Sequence, residues 1–403
     1  MMLNDAVLQL YYGHHHDGCN CAAHSNTMSL SHRIANTINK VIELAEMKRT
    51  SKIRNAIADI FNTDSKALNK DIFDIYQKDY IKALDSVFDD IDSNHPLWEK
   101  VQQFKINAAN FAAHKTYQLQ QKLNVIKIDV KKDNGSEKDF INKAKPIINR
   151  FNNYQKTEYN TFVARSRSAK QWDTFQQEKH LFPNLEWIRT RSANPRELHL
   201  SYVGLVLPIN DPFWQQNQPG NLYNCKCDWK STNAETTKKP AKIIKPMAGL
   251  EGNPYYTSKI ITDNHPYFKD VSKANENKIS HFIMQKIREN NTSIVRKSLQ
   301  NNSIIFNFEN KNHKLIFSNR CIRHIFHNTH TYQNLKNMSI PYIPEILKSA
   351  ILEYVVFAEK NDEKIKRYLY FRYNILDKPA YINIKELENG DMKVYAITPS
   401  IKK

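Results

Sequence analysis

The chain holds 403 residues, 40% of them hydrophobic and 25% charged, with only 8 glycines, a composition that excludes collagen-like and low-complexity classes and supplies two or three buried cores. It contains no run of about 18 apolar residues, so no membrane partner is expected. Lys and Arg total 59 against 41 Asp and Glu, a formal charge of +18, and such a surplus favours partners that carry phosphate.

The surplus is concentrated late, with 26 Lys/Arg and 15 Asp/Glu between residues 241 and 403, so phosphate binding is expected there. A basic surface that only keeps the chain soluble is the plainer alternative. Met1 to Ala6 show no basic stretch followed by an apolar one, and residence in a cytoplasm is the expectation. Five cysteines, two C-x-C pairs and Cys321, read as thiols or metal ligands rather than as a disulfide framework.

In chain order, Ile34, Ile38, Val41, Ile42 and Ala45 fall at helical steps, residues 30–92 read as helices, and Asp64 is a candidate cap. Pro96 opens the clearest helix, in which Trp98, Val101, Phe104, Ala108, Phe111, Ala112, Leu119 and Leu123 form one stripe. Turn formers at 131–136 break it, and a second helix is expected from Phe151 to Gln177. After Phe182-Pro183 the pattern shortens to strands at 185–190 and 205–209 around a helix from Pro195 to Tyr202 capped by Asn194. Thr, Lys and Pro from Ser231 to Lys245 have linker composition.

Beyond it a helix is expected at 273–289, strands at 303–308 and 314–317, and helices at 319–328 and 344–352. Strands at 354–358, 366–373, 380–384 and 392–398 close the chain, the last two joined through Asn389-Gly390-Asp391. The fold class is α+β: an N-terminal helical region (1–94) with a His/Cys-rich arm, a small α+β domain (95–230), a linker (231–270), and a basic domain (271–403) built on an antiparallel sheet.

An ordered set of motifs runs through residues 95–230: Phe104 to Ala108, Phe111 to Lys115, Thr157 to Asn160, Ala164 to Trp172, Trp187 to Thr190, Arg196-Glu197-Leu198-His199, Gly204, Pro208, Asp211-Pro212-Phe213-Trp214, Pro219 and Asn224-Cys225-Lys226-Cys227. This set resembles the Mu F-like phage head morphogenesis family. Asn264 to Phe268 resembles a segment often trailing that domain, whereas Ser192-Ala193-Asn194 stand where the family usually has an aspartate. The resemblance implies a minor head protein of a phage or prophage, held in the virion at or near the portal of the procapsid, with portal and capsid proteins as partners. Members are commonly fused to effector domains. Residues 300–400 more loosely resemble the phage-associated branch of the barnase, EndoU, colicin and RelE-like (BECR) nuclease fold, through Ser318, Arg323, His324, Ile325 and a terminal four-stranded sheet.

His199, Cys225 and Cys227 supply three of the four ligands of a structural zinc, provided that a turn at Lys226 brings both sulfurs to one side. Asp211, Asp228, His180 or water are candidates for the fourth, and hydrogen-bonded packing residues are the alternative. The tract His14-His15-His16-Asp17-Gly18-Cys19-Asn20-Cys21 crowds five metal-prone side chains but is equally a terminal arm.

RNA cleavage without metal needs an acid, a base and cations facing the developing charge. His324 is the first candidate acid or base. His327 and His330 are alternatives, Tyr370 can stack a base, Thr398 can orient the phosphate, and Arg323, Arg367 and Arg372 are candidate phosphate contacts. Surface or core packing is the bland reading of each. The leading functional expectation is a minor head protein carrying a metal-independent RNase-type effector, with RNA and an immunity protein as candidate partners. The alternatives are a purely structural capsid-assembly protein whose basic domain neutralises packaged DNA, and a zinc-dependent nucleic-acid-binding module.

Overall fold

The computed structural model describes residues 49–190, 192, 196–240, 243–300, 304–358 and 364–401. The helices expected between residues 30 and 48, and Asn194 as a cap, lie outside the described residues. Helical residues 49–62 lead into α1 (Lys70–Phe88), α2 (Trp98–Lys132) and α3 (Glu137–Glu178). Asn69, not Asp64, caps α1 by accepting the Ile72 N–H, while Asp64 pairs with Lys127 at 2.8 Å. Helix α2 buries the expected apolar stripe from Val101 to Leu123, while Trp98 is half-buried. Gly135 makes the turn into α3, where a Cβ would stand 2.7 Å from Val130 Cγ1, and Ser136 with Asp139 closes a capping box. The second long helix therefore starts some fourteen residues before Phe151 and runs through Pro146. Pro146 and Asn142 are both exposed, so water reaches the carbonyl that the proline leaves unbonded.

Inside this bundle Tyr80 stacks on Phe162 at 4.6 Å, and the fully buried Lys115 amine meets Glu158 and Gln155. Tyr80 and Tyr267 both donate to the same carboxylate. A buried charge pair is tolerable when its remaining lone pairs are satisfied in this way. Tyr267 belongs to a segment far along the chain, residues 249–276, that lies on the bundle as a strap.

Lys100 holds the Tyr255 carbonyl at 2.6 Å, Asn107 exchanges two 2.9 Å bonds with the Ile261 backbone, and His114 meets Glu276 at 3.1 Å. Gln118 holds the carbonyls of Tyr267 and Lys269. Residues 100, 107 and 114 recur every two turns on one face of α2. From α3, the fully buried Arg165 donates to the carbonyls of Leu250, Gly252 and Ile260 at 2.7, 3.0 and 2.6 Å. Leu250, Ile260 and Ile261 join the helical core. Gly249, at φ +90°, admits this path because a Cβ there would meet His265 at 2.6 Å. Residues 233–239 and 243–247 are mostly exposed but are pinned to the cap, the Thr237 N–H bonding the Val206 carbonyl and the Ile244 N–H the Tyr202 hydroxyl, and from Gly249 on the span read as linker joins the helical core.

At the far end of α3, β1 (Asn184–Ile188) lies between β2 (Val206–Pro208) and β3 (Asp228–Thr232), all antiparallel. Two one-turn helices, α4 (Glu197–Leu200) and α5 (Phe213–Gln216), complete a cap whose core is Trp172, Trp187, Tyr202, Phe213, Trp214 and Trp229. The strap contains the short α6 (Pro254–Thr257).

Helix α7 (Lys273–Val295), capped by Ser272, puts Ile279, Ile283 and Ile287 into the bundle and Val295 into the C-terminal core. The second body is therefore joined by a rigid helix. It comprises β4 (Ile304–Phe308), β5 (Lys311–Ile316), α8 (Asn319–His327), α9 (Gln333–Ser339), α10 (Ile343–Ile346), β6 (Ile351–Phe357), β7 (Ile365–Ile375), β8 (Lys378–Leu387) and β9 (Met392–Thr398). The sheet order is β4-β5-β9-β8-β7-β6, antiparallel except for β5 with β9. The helix expected over 344–352 is a single turn, because Ile351 already pairs with Arg372 in the sheet. Trp98 against Tyr342 at 5.2 Å and Glu99 accepting the Leu376 N–H at 2.6 Å seam the two bodies together.

Asn107→Ala leaves the Ile261 N–H and C=O buried and unpartnered, at about 2 kcal/mol or more. Urea denaturation should show that loss, and limited proteolysis should cut within residues 250–268 faster than in the parent; unchanged stability and cleavage would contradict the strap.

Candidate functional site

Two regions hold the residues singled out by sequence. In the cap, α4 presents His199 beneath Trp187, their rings 5.5 Å apart. Asn224 takes a left-handed φ of 58°, and residues 225–227 are irregular before β3 begins. This is the turn that two sulfurs on one side require. Cys227 Sγ lies 3.2 Å and Cys225 Sγ 3.6 Å from His199 Nδ1, with all three ligand atoms within 4.8 Å of one another.

The Cys227 thiol donates to Cys225, which, with His199 adding to the effect, pulls the buried Cys225 well below the usual thiol range. The same bond and burial push Cys227 up. The two sulfurs thus stand beside an imidazole whose Nε2 is buried without a partner. Soft donors at these separations suit a tetrahedral zinc.

Asp211 is occupied by Lys239 at 2.8 Å and the Phe213 N–H, Asp228 by Gln171 and the Trp229 N–H. His180 bonds the Gln177 carbonyl at the surface. Among the described residues no fourth His, Cys, Asp or Glu joins the three. The tract His14 to Cys21 lies outside the described residues.

In the C-terminal body Ser318 caps α8 by accepting the Cys321 N–H. Cys321, Ile322, Ile325 and Phe326 turn inward, which leaves Arg320, Arg323, His324 and His327 on the opposite face with no acid among them. The far end of α8 is held by Lys336, fully buried, whose amine donates to the carbonyls of Ile325 and Asn328 at 2.6 and 2.7 Å. Burial pushes that amine down to about 7.

His324 stands edge-on to Tyr395 at 4.3 Å, and Lys385 lies 4.0 Å from the centre of the same ring. Burial, then Lys385 and Arg320, lower the His324 pKa, favouring the neutral ring. His327 gives Nδ1–H to the Arg323 carbonyl at 2.7 Å, so its Nε2 accepts from Arg288 at 3.1 Å.

Tyr370 is buried and pairs across the sheet with Asn383, as Tyr381 does with Thr398. Asn383 Oδ1 and Thr398 Oγ1 are buried without partners. These side chains share a sheet face with Lys385, as alternation along β8 requires.

The other candidates stand elsewhere. His330 is buried, its Nδ1 accepting the Tyr332 N–H. Arg367 spends its guanidinium on Glu386 and Glu309, so it is a structural ion pair rather than an open phosphate contact. Arg372 lies 3.5 Å from Glu353. Lys385, Tyr395 and Arg288 were not legible as site residues: Tyr395 is the extra residue of a bulge in β9, and Arg288 comes from another element.

Residues 133–230 match the family model for phage Mu protein F like protein. No curated protein and no solved structure matches the chain. The Mu F-like segment runs from the turn before α3 to β3, shorter than the 95–230 expected, and holds the whole tryptophan cap with His199, Cys225 and Cys227. The strap and the C-terminal body lie outside it, and the resemblance to the BECR nuclease fold finds no support in these comparisons.

Glu386 is only 3% exposed and also meets Lys366 at 2.9 Å, so Arg367→Ala leaves the buried carboxylate with one of its two cations and should cost about 1–3 kcal/mol. Arg323→Ala, on an exposed position, should stay within about 0.5 kcal/mol. Chemical denaturation of the two variants checks this; equal stabilities would contradict it.

Proposed function

We propose that the chain is a minor head protein of a tailed phage or prophage, carried in the virion and bound to portal or capsid protein during head assembly. The match of residues 133–230 to the phage Mu protein F like family supports this reading. Assembly reactions with portal, scaffold and capsid proteins of the same phage test it: the chain should cosediment with procapsids, and Trp214→Ala, which opens the cap core, should weaken that association. Procapsids that form without ever retaining the chain would overturn the proposal.

The cap, on this reading, is fastened by zinc on His199, Cys225 and Cys227, with the fourth position open to water or to a residue outside the described ones. Zinc would supply a cross-link between α4 and the strand-entry turn, adding stability that a small unit can draw from a bound metal. Metal analysis should return one zinc per chain, and Cys225→Ser should lose both the metal and part of the thermal stability. Metal-free protein as stable as a zinc-loaded sample would refute this.

A second reading concerns the C-terminal body and is favoured by one observation, the acid-free cationic face of α8 next to the Lys385–Tyr395–His324 cluster. We infer that this face takes single-stranded RNA, the cations meeting phosphates and the tyrosine a base. With the ring neutral near pH 7, His324 can accept the 2'-hydroxyl proton, which makes metal-free cleavage its candidate chemistry. The full chain should bind labelled single-stranded RNA with strong salt dependence, Arg323→Ala should weaken binding several-fold, and cleavage in EDTA should vanish in His324→Ala. Binding without cleavage would leave a neutralising role toward packaged nucleic acid; no salt-dependent binding would remove both.

A further inference from the structure

Strand β6 ends the six-stranded sheet, and among the described residues nothing covers its outer edge. Ile351 is 69% and Phe357 72% exposed, with Tyr354 and Val355 also open. Edge strands are normally blunted by lysine, proline or an inward charge, yet residues 349–358 contain no Lys, Arg or Pro in a chain with 59 basic residues. Their one charge inside the strand, Glu353, sits at a bulge and faces Arg372 at 3.5 Å. From Tyr354 to Phe357 the pairing with β7 is regular, so the outer row of backbone groups is presented in register.

The exposure is not confined to the rim. Val355 and Phe357 pair with Leu369 and Arg367, and Leu369 belongs to the packed core. They therefore lie on the core side of the sheet, where, beyond Leu352, the apolar strip of β6 continues uncovered.

We propose that β6 is a homotypic interface: two copies of the chain pair antiparallel through this strand, with Val355 facing its own symmetry mate. Two features favour a second copy over a foreign strand. A two-fold axis normal to the sheet keeps like faces together, so the uncovered Val355 and Phe357 of both copies merge into one apolar strip on the core side. In that register Tyr354 faces the partner's Val356, again on a common face, and no cation meets a cation. For a chain of net charge +18, self-association is least opposed at the segment that carries no basic residue. An acidic partner, by contrast, would be drawn to the cationic surfaces that β6 lacks.

Sedimentation equilibrium of the full chain decides the point. The parent should show twice the chain mass of 47.3 kDa, and Val355→Lys, which sets like charges across the axis, should weaken self-association at least tenfold with an unchanged circular dichroism spectrum. Val355→Cys provides a readout independent of that variant's folding: mild oxidation should give an interchain disulfide absent from the parent and from Ile305→Cys on the opposite edge of the sheet. A monomeric parent, a dimer untouched by Val355→Lys, Val355→Cys that stays dimeric but uncrosslinked, or open-ended oligomers from β6 pairing with β4 would each overturn the proposal.

Discussion

Buried backbone needs partners, and in this protein one stripe of α2 supplies them. Lys100, Asn107, His114 and Gln118 bond the strap directly or through Glu276, while Arg165 gathers its carbonyls from α3. An irregular segment such as 249–268 cannot satisfy itself by helix or sheet ladders, so without these side chains Leu250, Ile260 and Ile261 could not be buried at all. Tyr267 adds the last donor to the Lys115–Glu158 pair. The helical body is thus completed by residues such as Leu250 and Tyr267 that come well after the end of α3 at Glu178 and only once the chain has passed through the cap.

That dependence explains how the other parts are placed. The tryptophan cap sits on the end of α3, and the chain must pass through it before returning along the bundle as the strap. The strap then runs into α7, whose single continuous run enters both cores. The cap and the C-terminal body are therefore held on one rigid frame rather than strung on a free linker.

Much of this was legible in the sequence where periodicity or spacing carried the signal. The apolar stripe of α2, the closing strands and the Cys225-Lys226-Cys227 spacing with His199 all appear in the structure close to where they were read. The strap was not legible, because its apolar residues follow no period among Gly, Asn and Pro, and because Asn107 looks like an ordinary polar residue until its partner on Ile261 is seen. Pro146 hid the first turns of α3. Helix α9 was missed because it buries Lys336, Asn337 and Ser339, which only a fold that needs their donors would place inside. Arg367 shows the reverse: a residue type suited to chemistry can be fully engaged by its neighbours, here Glu386 and Glu309.

The strap is the claim on which the rest stands, and fragments test it most directly. Residues 49–295 should unfold in one cooperative transition, whereas residues 49–245, which keep the bundle and cap but lack the strap, should lose sharp thermal unfolding and bind a hydrophobic dye. A fragment 49–245 that unfolds as cooperatively and at the same temperature as 49–295 would contradict the account.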